Sequence, residues 1–175
     1  MSNRQTHDNI IVMDEQEFTR LVREQKETIY TVCYMFSDNP DEVSDLFQET
    51  LVNLWRGFRK FRAESSIRTY VWRIALNTCI NADAKKKRRQ KHETPYDMRQ
   101  LEPALFESDK TQTKQARMLH GRIKKLGFFD RAIVLLWLED LSYEEIGAIV
   151  GISAKNVGVR LFRIKEELKK AAPEK

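Results

Sequence analysis

Apolar residues recur at three- and four-residue intervals along most of this 175-residue chain, which is the spacing of one face of an α-helix. In the last such stretch, Val157, Leu161, Ile164 and Leu168 repeat by four, three and four. Nowhere does the sequence show the strict alternation of apolar and polar residues that marks a half-buried β-strand. The sequence therefore predicts an all-α fold built from short amphipathic helices.

Capping residues and a turn divide residues 10–91 into three predicted helices. A side-chain acceptor just before a helix binds its free backbone N–H groups, and proline suits the first helical position. The third of these helices runs into a basic stretch, residues 85–91. The expected caps are Asp14, with Glu17 as its capping-box partner, Asn39 before Pro40, and Ser65 or Ser66.

The second and third helices are each predicted to have two different faces. In the second, an apolar stripe lies opposite a polar and acidic side that includes Asp45, Gln48 and Glu49. The third helix is predicted to pack one apolar stripe, with its other residues on the remaining sides. The stripe comprises Ile67, Tyr70, Val71, Ile74 and Thr78, whereas Trp72, Arg73, Leu76 and Asn77 are placed elsewhere on the helix.

Residues 92–112 lose the helical periodicity and contain Pro95 and Pro103 among polar residues, which predicts a flexible linker. The chain is thus divided into two small helical domains, residues 10–91 and residues 113–172. Domains of about 80 and 60 residues bury a small share of their surface, so each is expected to be marginally stable alone.

The second domain shows four helical patterns, the last two of which are joined by a tight turn. Ser142 and Glu145 form a capping-box pattern before the third helix. Gly151 supplies the left-handed residue that ends it, and Ser153 caps the last helix. This arrangement is typical of a helix-turn-helix. The other expected boundaries are Gly127, which ends the first helix, and Asp130, which caps the second.

The buried stripe of the last helix leaves a polar and basic face outward. Lys and Arg neutralise phosphates or read guanine, Asn reads adenine, and an aliphatic side chain suits a thymine methyl group. An ordinary helical hairpin with a solvated face is the alternative, but the caps, the turn and the basic residues occur together, which favours DNA binding. The outward residues are Lys155, Asn156, Val159, Phe162 and Arg163, with Arg160 on the flank.

Charge is distributed unevenly, although the chain as a whole carries only +5. Residues 1–55 hold 4 Lys/Arg and 11 Asp/Glu, whereas residues 56–91 hold 12 Lys/Arg and 2 Asp/Glu. An acidic surface suits one partner, and a basic surface suits a polyanion. A merely solvated face is the alternative for the acidic part.

Several function classes find no support in the sequence. Cys33 and Cys79 lie far apart in helical patterns and are interpreted as reduced apolar residues, and three scattered histidines form no metal-ligand pattern. No nucleophile–base set or glycine-rich phosphate loop is present, so no enzyme activity, metal or cofactor is expected. The lack of a signal core or a bilayer-length apolar run predicts a cytoplasmic protein without membrane insertion.

Three stretches together resemble bacterial RNA polymerase sigma factors of the extracytoplasmic-function branch of the sigma-70 family. They are DEVSDLFQETLVNLWRGFRKF, SIRTYVWRIALNTCINADAKKKRR and LEDLSYEEIGAIVGISAKNVGVRLFRIKEELKK. In order and spacing they are similar to sigma regions two and four, with no third folded region between them. The resemblance implies a region 2-like helical bundle in residues 10–91 and a region 4-like helix-turn-helix domain in residues 113–172.

The resemblance also implies partners: core RNA polymerase, promoter DNA and a cognate anti-sigma factor. The side of the second helix that carries Asp45, Gln48 and Glu49 matches the family surface that docks on the clamp helices of the polymerase β′ subunit. The β flap is the second implied polymerase contact. The function implied is promoter-specific transcription initiation. A stand-alone helix-turn-helix regulator that binds an operator is the alternative.

The loop of residues 61–69 and the third helix match the part of the family that recognises and melts the minus-ten promoter element. Asn77 matches a position in the pocket for a flipped non-template base. Tyr70 and Trp72 match an aromatic-rich stretch, but core packing is the alternative for both and is favoured for Tyr70. The implied minus-ten DNA contacts are Arg62, Arg68, Trp72, Arg73, Asn77, Lys85, Lys86, Lys87 and Arg88.

The last helix matches the family's reader of the minus-thirty-five element. The sequence departs from the family pattern at residues 126–129, where Leu-Gly-Phe-Phe replaces a common Leu-Pro, and at Gly147, where alanine is usual. Gly158 lies inside the last helix, at a cost of roughly 1 kcal/mol relative to alanine. The implied minus-thirty-five contacts are Ser153, Lys155, Asn156, Val159, Arg160 and Arg163.

Overall fold

The computed structural model describes residues 14–58, 60–61, 64–90 and 113–170 of the chain. Within these residues the secondary structure is entirely helical, which confirms the predicted fold class. The predicted linker, residues 92–112, lies outside the described residues, as do both ends of the chain. In chain order the helices are α1 (Glu15–Met35), α2 (Pro40–Phe58), α3 (Ile67–Gln90), α4 (Lys114–Lys125), α5 (Phe128–Leu138), α6 (Tyr143–Val150) and α7 (Ala154–Lys170).

The starts of most helices follow the capping residues that the sequence predicted. In each case a side-chain oxygen accepts a hydrogen bond from the backbone N–H three residues later, which satisfies one of the free donors of the first turn. Of the two serines proposed for α3, the structure selects Ser66. The bonds run from Glu17 to Asp14 (2.9 Å), from Glu42 to Asn39 (3.0 Å), from Thr69 to Ser66 (3.1 Å), from Glu145 to Ser142 (3.2 Å) and from Asn156 to Ser153 (3.2 Å).

Helices α1, α2 and α3 pack against one another and enclose the core of the N-terminal domain. Leu54 and Phe58 of α2 are buried together with Ile29 and Val32 of α1. The thiols of Cys33 and Cys79 are free and buried, which agrees with their interpretation as small apolar residues. The Cys33 Sγ lies 3.9 Å from the Thr50 hydroxyl, so α1 and α2 each contribute a small polar group to this core.

The predicted faces of α3 were only partly right: Val71 and Thr78 of the stripe are buried and Asn77 is exposed, but the buried surface is wider than predicted. Trp72 and Leu76, which had been placed off the apolar stripe, are buried with Val71, Ala75 and Cys79. The physical reason is that α3 packs against α1, α2 and also α6, so more than one side of this helix is covered. A helix enclosed from several directions has no single apolar stripe.

Helices α4 to α7 form the C-terminal domain, in which α5 is the most buried element. Five consecutive residues of α5, 132–136, are buried, and α6 and α7 pack on it and on each other. Val157, Leu161 and Ile164 of α7 face this core, as their spacing predicted. Among the helices of the described residues, none combines the length and apolar character that crossing a membrane requires.

The boundary between α4 and α5 differs from the prediction. The helix α4 ends at Lys125, Gly127 occupies the N-cap position of α5, and Asp130 lies inside the first turn rather than capping it. Starting α5 earlier brings Phe128 into the helix, where its ring lies 4.2 Å from the ring of Phe36 in the N-terminal domain. Capping preferences alone had predicted a later start for α5. The packing of Phe128 on Phe36 accompanies the earlier start.

Candidate nucleic-acid interface

The polar side of α2 forms an exposed, acidic strip. Asp45, Gln48 and Glu49 are all exposed, and Val52, one further turn along, has 46% of its surface exposed. The opposite side of the helix is buried through Val43, Leu46, Thr50 and Leu54. The strip therefore contributes little to the core and is free to contact another molecule. We call Asp45, Gln48, Glu49 and Val52 the α2 surface.

The aromatic residues near the start of α3 belong to the core rather than to an exposed stacking surface. Trp72 has no exposed surface, so its ring is not available to stack on a base in this arrangement, and the alternative of core packing holds. Its indole N–H and the Tyr70 hydroxyl are both buried without a hydrogen-bond partner among the described residues. Burial also raises the pKa of the Tyr70 hydroxyl.

Tyr70 is held between the end of α2 and the following loop. Its ring lies 4.8 Å from the ring of Phe61 and 6.4 Å from that of Phe58. A Cβ atom at Gly57 would crowd the Tyr70 hydroxyl oxygen, so a larger residue there would require the Tyr70 side chain to shift. Tyr70 thus fixes how the loop leaves α2. Arg62, predicted to contact DNA from this loop, lies outside the described residues.

Asn77 occupies the exposed side of α3, where it was predicted to reach a flipped base. The neighbouring Thr78 is buried, and its hydroxyl accepts a hydrogen bond of 3.0 Å from the Asn53 side-chain amide of α2. Ile80 lies one turn from Asn77 and has 46% of its surface exposed, although an isoleucine is usually buried. The prediction overlooked Ile80, because one exposed apolar residue gives no periodic signal.

The basic end of α3 contains residues in two different situations. Lys85 and Arg88 are exposed, whereas Lys86 pairs with Asp38 and lies 3.5 Å from a Glu42 carboxylate oxygen. Burial acts to lower the pKa of Lys86, but its hydrogen bond to Asp38 and the nearby Glu42 outweigh this, and the pKa is raised. Lys86 therefore joins α3 to the start of α2 and is partly neutralised before any DNA is bound.

Arg68 and Arg73 lie near the start of α3. The Arg68 guanidinium lies 2.6 Å from the carboxylate of Glu139, which belongs to the C-terminal domain, and its side chain remains 44% exposed. Arg73 is half-buried. Lys87 is exposed and pairs with Asp83 one turn earlier, at 2.7 Å, a contact that adds little energy in solvent.

The helix-turn-helix has the geometry that its sequence predicted. Ser142 and Glu145 form a complete capping box at the start of α6, and Gly151 ends this helix in the left-handed conformation at φ 81°. A Cβ atom at Gly147 would lie 2.4 Å from the backbone oxygen of Ile152 in the turn. The turn between α6 and α7 therefore passes too close to Gly147 for a side chain to fit there without a shift.

The outward face of α7 is polar and basic with two apolar residues. Lys155, Asn156 and Arg163 are exposed, and Val159 has 44% of its surface exposed. Phe162 is the most exposed large apolar residue of the described chain, at 67%. Such a face matches the mixture of phosphate contacts and base-edge contacts that a recognition helix makes in the major groove. Ser153 caps α7 and therefore lies at the N-terminal end of this outward face.

Arg160 was expected on the flank of this face as a minus-thirty-five contact, but its guanidinium is engaged within the domain. Its guanidinium lies 2.5 Å from the Asp130 carboxylate and 4.6 Å from the centre of the Phe129 ring. These contacts join α7 to the first turn of α5 and orient α7. The described residues hold no group of three or more His, Cys, Asp or Glu side chains placed to bind a metal ion.

Two family models match the chain, one on each domain. The model of sigma-70 region 2 matches residues 21–89, and the model of sigma-70 region 4 matches residues 117–168. The first match covers α2, α3 and most of α1, and the second runs from α4 to near the end of α7. Both exposed surfaces described above therefore lie inside matched segments.

Curated sigma factors are similar to this chain over most of its length. The chain is 32% identical over 159 residues to the RNA polymerase sigma factor YlaC of Bacillus subtilis (strain 168), covering 86% of this chain and 88% of that protein. It is 28% identical to the ECF RNA polymerase sigma factor SigW of the same organism, covering 90% of this chain and 89% of SigW.

A solved structure has a similar fold. The sigma factor RpoE from Bartonella quintana, crystallised with the anti-sigma factor NepR, superimposes with a TM-score of 0.73 over 89% of this chain and 96% of RpoE. The two sequences are 18% identical, so this likeness concerns the fold.

Proposed function

This chain belongs to the extracytoplasmic-function branch of the sigma-70 family of RNA polymerase sigma factors, and from that premise we propose how its surfaces share the work of initiation. As a sigma factor it binds core RNA polymerase and directs promoter-specific transcription. In our proposal, residues 10–91 dock on the polymerase and open the minus-ten element, and residues 113–172 read the minus-thirty-five element. A linker at residues 92–112 joins the two.

The α2 surface is proposed to dock on the clamp helices of the β′ subunit. The observation that carries this assignment is an exposed acidic strip on a helix whose other side is buried in the core. The strip comprises Asp45, Gln48 and Glu49. An acidic strip repels the DNA backbone, so a protein partner fits it better than promoter DNA does. Val52 adds an apolar contact at the end of the same strip.

Promoter opening is assigned to the exposed side of α3. Asn77 offers a donor and an acceptor to one base edge, and the basic end of the helix supplies cations for the separated strand. Because Trp72 is buried, side chains other than Trp72 have to contact the bases. The exposed Ile80 lies one turn from Asn77. The proposed phosphate contacts are Arg68, Arg73, Lys85, Lys87 and Arg88, with Lys86 contributing mainly to structure.

Reading of the minus-thirty-five element is assigned to α7. Lys155, Asn156, Val159 and Arg163 provide the base-edge contacts in our proposal, and Ser153 lies at the start of the helix where phosphates approach. One helix with so few reading side chains gives modest specificity, since each good contact discriminates by about 1–3 kcal/mol. The remaining affinity comes from polymerase and from the N-terminal domain, because the minus-ten and minus-thirty-five elements of one promoter are then bound together.

A cognate anti-sigma factor and the polymerase β flap are further proposed partners. RpoE of Bartonella quintana was solved with such a factor bound, and this chain shares its fold. The exposed apolar residues Met118 and Leu119 of α4 are available for a protein contact on the C-terminal domain. A partner that covers these surfaces would keep the chain from polymerase.

Transcription with purified core polymerase on genomic DNA fragments, followed by mapping of start sites, tests the proposal. Start sites should share two sequence elements, and no transcripts should appear from core polymerase alone. A band-shift with and without core polymerase separates the stand-alone regulator from the sigma factor. Tight, specific binding by the purified chain alone would contradict our division of labour between the two domains.

A further inference from the structure

Cys33 of α1 and Cys79 of α3 form a pair of neighbouring thiols in the core of the N-terminal domain. Cys33 has no exposed surface and Cys79 has 2%, and each thiol lies within hydrogen-bonding reach of the other. The Cys33 Sγ also contacts the hydroxyl of Thr50 on α2, which donates to the Leu46 carbonyl at 2.7 Å. None of the surfaces assigned above uses these two cysteines, which we call the thiol pair.

Small residues on α3 allow the thiol pair to form. Ala75 and Ala82 lie one turn before and one turn after Cys79, on the same side of the helix, and both pack in the core. The distance between two packed helices depends on the size of the side chains at their contact. A disulfide bond requires Cα atoms about 4.4–6.8 Å apart, and small side chains on either side of a cysteine favour such a close approach.

A cavity gives one of the two thiols a path to small molecules. Cys79 forms part of the wall of a cavity of about 210 Å³, which Glu42 and Lys86 also line. This volume is several times the roughly 30 Å³ that one water molecule occupies in the liquid. Charged groups in the wall suit water and other small polar molecules. Hydrogen peroxide is a molecule of this kind, and Cys79 is the sulfur that it reaches from the cavity.

The thiol pair loses one proton more readily than a single buried thiol does. The S–H group of Cys79 donates to the Cys33 sulfur and lowers the pKa of Cys33, although burial acts in the opposite direction. The same hydrogen bond, together with burial, raises the pKa of Cys79, so the pair carries one negative charge at most. A thiolate, and not a thiol, is the form that attacks an oxidant.

We propose that the thiol pair is an oxidation-sensitive modification site, at which hydrogen peroxide converts Cys33 and Cys79 into a disulfide bond between α1 and α3. The proton of Cys79 moves to Cys33 along their hydrogen bond, and the Cys79 thiolate attacks one oxygen of the peroxide. The O–O bond breaks, hydroxide leaves, and Cys79 becomes a sulfenic acid.

The second step closes the bond. The Cys33 sulfur attacks the sulfenic sulfur of Cys79, the S–S bond forms, the S–O bond breaks, and water leaves with the Cys33 proton. The hydroxide from the first step takes up the proton that the pair had released. Two thiols are thus oxidised to one disulfide, and the peroxide is reduced to two water molecules.

The disulfide acts on promoter opening through the position of α3. A disulfide holds its sulfurs about 2.05 Å apart, which is closer than two thiols in contact, and a close-packed core transmits such a movement to the helices. Asn77 lies two positions before Cys79, and the adjacent Thr78 is bonded to Asn53 of α2 at 3.0 Å. Oxidation therefore shifts Asn77 relative to the α2 surface. This consequence rests on the proposed function, whereas the disulfide itself does not.

Peptide mapping of the full chain under non-reducing conditions tests the disulfide. The reduced chain, at low concentration, is treated with a small excess of hydrogen peroxide and digested with trypsin. The peptides of residues 27–56 and 74–85, which contain the two cysteines, should be joined. The intact chain should be lighter by two hydrogen atoms, and dithiothreitol should reverse both changes.

A matched control keeps two thiols but separates them. Cys79→Ala with Asn81→Cys moves the second thiol two positions along α3 to an exposed side chain. This variant should gain oxygen atoms without joined peptides, as should Cys33→Ala and Cys79→Ala, while their circular dichroism stays native. Joined peptides in the control at the wild-type level would overturn the proposal. So would a wild type that gains oxygen atoms or forms dimers and no internal disulfide.

Permanganate footprinting gives the functional readout, with peroxide removed by catalase before core polymerase is added. The oxidised wild type should bind polymerase but lose the reactive thymines of the open complex, and reduction should restore them. Cys79→Ala, treated in the same way, should keep them. A fully cross-linked chain that opens promoters normally would overturn the proposed effect on α3. Failure of the reduced wild type to bind core polymerase would instead contradict the proposed function and leave the peptide mapping standing.

Discussion

The Asn53 side-chain amide donates a hydrogen bond of 3.0 Å to the hydroxyl of Thr78, which joins the helix that carries the α2 surface to the helix assigned to promoter opening. The Thr78 hydroxyl in turn donates to the Ile74 carbonyl at 2.9 Å and is almost fully buried. The bond therefore links α2 and α3 directly. It sets the position of α3 relative to the α2 surface.

Replacing Asn53 by alanine should lower the free energy of unfolding by about 1 kcal/mol, because one partly buried hydrogen bond between the helices is lost. Urea denaturation followed by circular dichroism measures the change. The control is Asn81→Ala, an exposed asparagine on α3, which should leave the midpoint almost unchanged. Equal midpoints for the two variants would show that the Asn53–Thr78 bond contributes nothing to stability.

Gln48→Ala combined with Glu49→Lys should weaken binding to core polymerase by about 1–3 kcal/mol without unfolding the chain, since both residues are exposed on the α2 surface. A pull-down with core polymerase at several concentrations measures the loss. Gln16→Ala combined with Glu24→Lys makes the same chemical change on exposed positions of α1 and should bind normally. If both double variants bind alike, polymerase docks elsewhere.

Asn77→Ala should impair promoter opening more than promoter docking, because the exposed amide is assigned to a base edge that becomes accessible only after melting. Permanganate footprinting should show that closed complexes are retained and that reactive thymines in the open region are lost. Asn81→Ala, one turn further along the same helix, serves as the control. Equal loss of closed and open complexes in the Asn77 variant would assign this residue to docking or to structure.

Gly147→Ala should destabilise the C-terminal domain by about 1–3 kcal/mol, because the added Cβ would lie 2.4 Å from the Ile152 carbonyl oxygen and the turn has to shift. Thermal denaturation reports the difference. At Gly121 of α4 an added Cβ meets no atom of the described residues within 4 Å, and Gly121→Ala should stabilise the chain by up to about 1 kcal/mol. A stabilising effect at Gly147 would mean that the helix-turn-helix is looser than described.

Arg163→Ala should relax or shift the preferred minus-thirty-five sequence in a selection with holoenzyme, since Arg163 is exposed on the reading face of α7. Arg160→Ala should preserve the preferred sequence. It should weaken all promoters alike and lower stability by up to about 1 kcal/mol, because Arg160 pairs with Asp130. An unchanged selected sequence in the Arg163 variant would contradict the assignment of this side chain to base reading.

The sequence by itself determined the helices and most of their ends. Caps such as Asp14, Asn39 and Ser142 act on backbone groups three residues away, so their effect can be predicted from a short stretch of chain. The same holds for Gly151, whose left-handed conformation depends on its own lack of a side chain. The outward face of α7 was predicted for a similar reason, because one stripe of apolar residues leaves one face exposed.

Only the tertiary structure decided which side chains remain available for function. Trp72 is buried because α3 is enclosed by α1, α2 and α6, which no local periodicity reveals. Arg160 finds the carboxylate of Asp130 on α5, Lys86 finds that of Asp38 just before α2, and Arg131 finds the Met35 carbonyl 96 positions away in the chain. Charge counts and helical spacing show that such residues are cations. Their partners depend on how distant segments pack, and it is the partner that determines whether a cation holds the fold together or meets DNA.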